Sequence, residues 1–153
     1  MSGLHTWHYG AVKASVEFRN EICIVGLVGP VTRRSLDQLK VDVLRSCPRP
    51  TRVFVVDVST CAIAVTADEL GELALDAHMH GVIKEPVVFV VNEEQGELFG
   101  EHSEAMIEHG LLRIRARSMQ LALGWALRRV AVAAWSVELQ RSGRRTVRVR
   151  AGI

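Results

Sequence analysis

Four side chains able to do chemistry fall within one stretch, VFVVDVSTCAIAVTADEL at 53–70: Asp57, Ser59, Thr60 and Thr66. A carboxylate ending an apolar strand can hold a metal ion or receive a phosphoryl group. Both chemistries call for further acids nearby, and the following STCAIAV supplies none. Asp57 therefore reads first as a residue that bonds neighbouring amides or hydroxyls. Thr66 has two readings. Glu69 follows it by three residues, the spacing of a capping box, in which the hydroxyl accepts from backbone amides. The same position exposes a hydroxyl at the positive end of a helix dipole, where a phosphate would meet free amides. Asp68, Glu69 and Glu72 would repel that phosphate. Its charge would then change the surface a partner meets more than it would order the loop.

Other chemistries are excluded by spacing. On a helix, His78 and His80 point about 200° apart, and His102 and His109 stand about 10 Å apart along the axis. Neither pair can share an ion, so no metal site is expected. Cys23, Cys47 and Cys61 are odd in number and widely spaced, as small buried residues or incidental thiols are. GxGxxG, GxxxxGK[ST], GxSxG and HExxH are all absent, and GLVGP at 26–30 is only a lone glycine pair. The reading is a protein that is not an enzyme and needs no cofactor.

The elements that must hold this stretch follow from hydrophobic period. Residues 11–28 form an antiparallel hairpin around a two-residue turn at Arg19 and Asn20. RRSLDQLKVDVLRS carries a helical stripe, ended by Pro48 and Pro50. TRVFVVDVS and EPVVFVVN are unbroken apolar runs, as strands covered on both faces are. A helix is expected from Thr66 to a closing Gly81, and a third, acidic one over EEQGELFGEHSEAMIEHG, weakened by internal glycines. LLRIRAR alternates as a strand, and Ser118 can cap a last helix from Met119 to about Gln140. The order β-β-α-β-α-β-α-β-α predicts an α/β domain: a mixed sheet of about five strands with four helices.

With 153 residues, 48% of them apolar, the chain has material for one core, expected over 1–140 and followed by a basic tail at 141–153. The longest apolar runs are too short to cross a bilayer, and MSGLHTWHYG lacks a basic region followed by an apolar one. A cytoplasmic protein without membrane contact is the expectation. Charge is segregated. Residues 1–52 carry eight Lys or Arg against four acids, residues 53–112 one against twelve, and residues 113–153 ten against one. Such asymmetry steers charged partners. The tail has arginines but no aromatics, which favours a solvated segment or one lying on the acidic region over a nucleic-acid contact.

The element order and several phrases together resemble the STAS domain family, which includes bacterial anti-sigma factor antagonists. The resemblance spans about residues 12–128: GLVGPVT before the first helix, RVFVVDVS and its short loop, VVFVVNEEQGELFGEHSEAMIEHGLLRI, and SMQLALGWA with its Ala-Leu pair. It implies a STAS-like fold and a protein-binding regulator in a partner-switching system. The partner would be an anti-sigma factor or a serine/threonine kinase-like regulator. In that family a Ser or Thr in an Asp-Ser-Ser-Gly-like motif at the start of the second helix is phosphorylated by the partner. AVTADEL is the matching segment, placing Thr66 on or beside the acceptor, with Val65 where the Asp would be and the Gly missing. The implied contact surface is Asp57, Ser59, Thr60, Val65, Thr66, Asp68 and Glu69, with the helix running on to His80. Two other classes stay open: a sensor binding a nucleotide or acyl group at the strand ends, and a homo-oligomeric assembly module. In the latter, the helix bearing Leu121, Trp125, Leu127 and Trp135 pairs with a second copy to form a homodimer.

Overall fold

The computed structural model describes residues 3–76 and 81–141. The chain opens with three antiparallel strands where the sequence predicts two: β1 (Gly3–Tyr9), β2 (Val12–Arg19) and β3 (Ile22–Val28). The extra strand is an edge with little apolar alternation to betray it. Only Trp7 and Tyr9 lean on the core, while Leu4 stays exposed. The β2–β3 turn lies at Asn20 and Glu21, one residue later than expected, because Arg19 pairs with Ile22. Both turn residues have positive φ, 51° and 63°, the mirror-image turn that matches strand twist. Either placement keeps the apolar side chains on one face. The observed one puts Asn at the first left-handed position and lets Arg52 hold Glu21, through its amide to the Glu21 carbonyl and its Nε to Oε2 at 2.9 Å.

From β3 the sheet continues in parallel through β5 (Val53–Asp57), β7 (Val87–Val90) and β8 (Arg113–Ala116), giving six strands in the order β1-β2-β3-β5-β7-β8. The mixed α/β architecture with an antiparallel opening is as expected. The central strands do serve two faces. Phe54, Val58 and Val87 join one cluster, while Val53, Val55, Val88 and Val90 join the other. Full burial of each such side chain stabilises the fold by about 1.5–3 kcal/mol. Three helices cover the first face: α1 (Arg33–Ser46), α2 (Ala67–Leu75) and α3 (Gly96–Ile107). The second is covered by α4 (Met119–Arg141), whose Ala122 and Ala126, one turn apart and fully buried, let the helix approach the sheet closely. Ser118 accepts from the Leu121 amide at the start of α4, as its position predicts.

Two short strands, β4 (Pro30–Thr32) and β6 (Ala62–Ala64), form a separate parallel ribbon. At three residues each they fall below any readable alternation. Gly29, which leads into β4, has φ +108°, and a Cβ there would lie 2.4 Å from the Ala11 carbonyl oxygen. Helix α2 is shorter than predicted. It ends at Leu75 instead of running to Gly81, with Lys40 of α1 donating to the terminal carbonyls of Leu73 and Asp76 at 2.7 and 3.3 Å. The glycines of α3 have a packing role: the Arg115 side chain lies on them, donating to the Gly96 carbonyl, and a Cβ at Gly100 would meet its guanidinium at 2.9 Å. Residues 77–80, with His78 and His80, and the basic tail beyond Arg141 lie outside the described residues. Among the described residues no helix is long and apolar enough to cross a membrane.

Candidate functional site

The junction between β5 and α2 sits at the carboxyl ends of the parallel strands, where open α/β sheets present their loops. Asp57 closes β5 and turns its carboxylate back on the chain. One oxygen accepts from the Ser59 amide at 3.0 Å and from the Ser59 hydroxyl at 2.6 Å. This is the turn-making role that the residue type suggests. It also engages Ser59, whose carbonyl accepts from Asn92 Nδ2 at 2.8 Å.

Two residues that sequence reading missed, Asn92 and Gln95, fasten this loop. Gln95 is buried, and its Nε2 donates to the carbonyls of Val58 and Cys61 at 2.7 and 2.9 Å. Its Oε1 accepts from the Asn92 amide, and Asn92 Oδ1 accepts from the Gln95 amide in return. From the other side, the Cys61 thiol and the Thr60 hydroxyl both donate to the Leu27 carbonyl, at 3.1 and 3.4 Å. The only hint in the sequence was an Asn and a Gln three residues apart just past an apolar strand, a local turn pattern with no sign of what it would reach.

Beyond this anchor the chain runs extended through β6, and its side chains alternate. Thr60, Ala62, Ala64, Thr66 and Asp68 are exposed, while Cys61 and Val65 are buried in the core. Val65, at 7% exposure, supports the ridge from beneath, so it does not face a partner as the predicted contact set has it. The exposed edge carries only short side chains between Thr60 and Thr66, so another surface can come close to its backbone.

Thr66 is the N-cap of α2. Its Oγ1 accepts from the Glu69 amide at 3.1 Å, and the Glu69 carboxylate accepts from the Thr66 amide at 3.1 Å, completing the capping box that the spacing predicts.

No protein-family model matches the sequence, and no curated protein matches it.

The surroundings of Thr66 are less uniformly acidic than the sequence implies. Arg33, at the start of α1, reaches across to Glu72 with its Nη1 2.6 Å from Oε2. Hydrogen bonding to Glu72, with the further fields of Glu72, Glu69 and Asp37, holds the guanidinium above its ordinary pKa. A cation thus stands within the field of the carboxylate that caps Thr66. Further along, α3 packs against α2 and carries Glu97, Glu101 and Glu104 at exposed positions, with exposed Glu93, Glu94 and Glu108 flanking it. Among the described residues no three His, Cys, Asp or Glu side chains converge on a point where a metal ion could sit.

Proposed function

We propose that the chain is a non-enzymatic, protein-binding regulator of the anti-sigma factor antagonist type, working through the β5–α2 junction in a partner-switching system. One observation carries the reading. Of the three hydroxyls at the junction, Ser59 and Thr60 donate to protein oxygens, whereas Thr66 is exposed at an amide-rich helix start. The family resemblance of the sequence points to the same hydroxyl as the phosphoacceptor. The neighbouring ridge of Ala62 and Ala64 gives a partner kinase-like protein close access, and Arg33 offsets part of the repulsion a phosphate would meet from Asp68, Glu69 and Glu72. The acidic faces of α2 and α3 favour a partner with a basic docking surface.

The test is capture of native partners on the immobilised wild-type chain beside an Ala64→Arg variant. Recovery of an anti-sigma factor or kinase-like ATPase by the wild type, lost in the variant, supports the proposal. Recovery of neither by the wild type counts against it. A second reading, homo-oligomer formation through α4, is favoured by the exposed Leu121, Leu127, Val132 and Trp135 on that helix. A concentration-independent monomer mass would remove it.

A further inference from the structure

At the opposite end of the parallel strands from Thr66, α1, α2 and α3 roof a cavity of about 110 Å³ over the sheet. Its wall is largely apolar, with Leu39 and Val43 of α1, Leu70 and Leu73 of α2, and Phe54 and Phe89 of the sheet. Three polar residues interrupt it, Lys40, His102 and Arg113, and all are buried, at 8%, 2% and 4% exposure.

Burial lowers the pKa of both cations, outweighing the carboxylate fields of Asp76 and Asp37 at Lys40 and of Glu85 at Arg113. Arg113 donates to the carbonyls of Ile83, Glu85 and Leu112 at 2.6, 3.2 and 3.2 Å, and among the described residues no carboxylate forms an ion pair with it. Lys40 also donates to backbone carbonyls, those of Leu73 and Asp76. The His102 ring lies edge-on to Phe89, and its buried Nδ1 has no hydrogen-bond partner among the described residues. Buried cations and an unpaired imidazole nitrogen are costly unless a complementary group meets them. The enclosure is otherwise hydrocarbon, so the complementary group belongs on an apolar body. An apolar cavity of about 150 Å³ takes up benzene, so the space here suits about four or five carbons and is too small for a nucleotide.

We propose that this cavity binds a short-chain monocarboxylate, with its hydrocarbon against the leucines and phenylalanines and its carboxylate toward Arg113, Lys40 and the unused Nδ1 of His102. This inference does not depend on the Thr66 reading.

An NMR titration of the full chain with isovalerate tests it, with isovaleramide as the neutral probe of the same shape. The expected result is saturable binding with a dissociation constant of about 1 mM. Amide shifts should concentrate at Leu39, Leu70, Ile83 and Arg113, and isovaleramide should bind at least about tenfold more weakly, the loss of one charge-assisted contact. Arg113→Met should abolish the preference for the acid. Because that change also removes three hydrogen bonds, Ala74→Phe provides a second variant. It fills the cavity from α2 without touching a polar group, and should abolish binding in a chain that keeps its folded spectrum. No saturable shift in folded wild type, equal binding of the amide, shifts confined to the Thr66 junction, or undiminished binding by folded Ala74→Phe would each overturn the proposal.

Discussion

Replacing Gln95 with Leu keeps the volume of a buried side chain and removes the clamp on the candidate partner loop. The wild-type amide donates twice, to Val58 and Cys61, and accepts once from Asn92, all between 2.7 and 3.0 Å. At about 1 kcal/mol net for each bond, the loss is about 3 kcal/mol. The Val58 carbonyl still accepts from the Cys61 amide, which keeps the total from rising much further. For a chain of this size, that corresponds to a fall of about 6–12 °C in Tm. Urea unfolding gives the free energy directly, and hydrogen exchange at the Cys61 amide reports the loop. Gln95→Glu sharpens the test. It retains an acceptor but loses both donors, and burial raises its carboxyl pKa in the folded state above the ordinary value of about 4.3. With a raised folded pKa, its stability is greatest below the unfolded value and declines as pH rises through the folded one. Measured against wild type at each pH, the Glu variant should therefore lose more stability at pH 7 than at pH 4. A loss under about 1 kcal/mol for Gln95→Leu, or an unchanged exchange rate at Cys61, would refute the clamp.

Three further outcomes are expected. Thr66→Ala should cost about 0.5–2 kcal/mol in urea unfolding, the range for a lost cap, and Thr66→Ser should restore most of it; a much larger loss would place Thr66 in the core of the fold's stability. His102 is held down to about 4 by burial first and by the Arg113 charge second. A histidine with a depressed folded pKa contributes stability above its unfolded value of about 6.5, lost as pH falls toward 4, so wild type should weaken across that window by up to about 3 kcal/mol and His102→Phe should flatten the profile. Gly29→Ala forces a side chain into a left-handed backbone and onto the Ala11 carbonyl, and should lower stability by about 2–3 kcal/mol or more, measured by thermal unfolding.

What could be read from the sequence was what local physics decides. The helix at Arg33–Ser46 carries its stripe within its own residues and its stop signal in Pro48 and Pro50 just beyond, and the Thr66–Glu69 box needs nothing from elsewhere. The two-faced strands were equally plain, since an unbroken Val run has no other use in a sheet. Features set by distant partners were hidden. The first strand exists because β2 offers it an edge, α2 stops where Lys40 takes its carbonyls, and the β2–β3 turn settles on Glu21 with the help of Arg52. At the site, the sequence exposed the hydroxyls but not which ones the fold engages. Ser59 is held by Asp57 and Asn92, and Val65 is withdrawn by a ribbon too short to leave a pattern.

That ribbon joins two helix starts. Thr32 lies beside Ala64 in the β4–β6 pairing, and each strand leads into a helix capped by a threonine, Thr32 for α1 and Thr66 for α2. The starts of both helices are therefore fixed relative to one another by three residue pairs. Through that pairing the two caps share one support, and both helices go on to wall the cavity at the far end of the sheet.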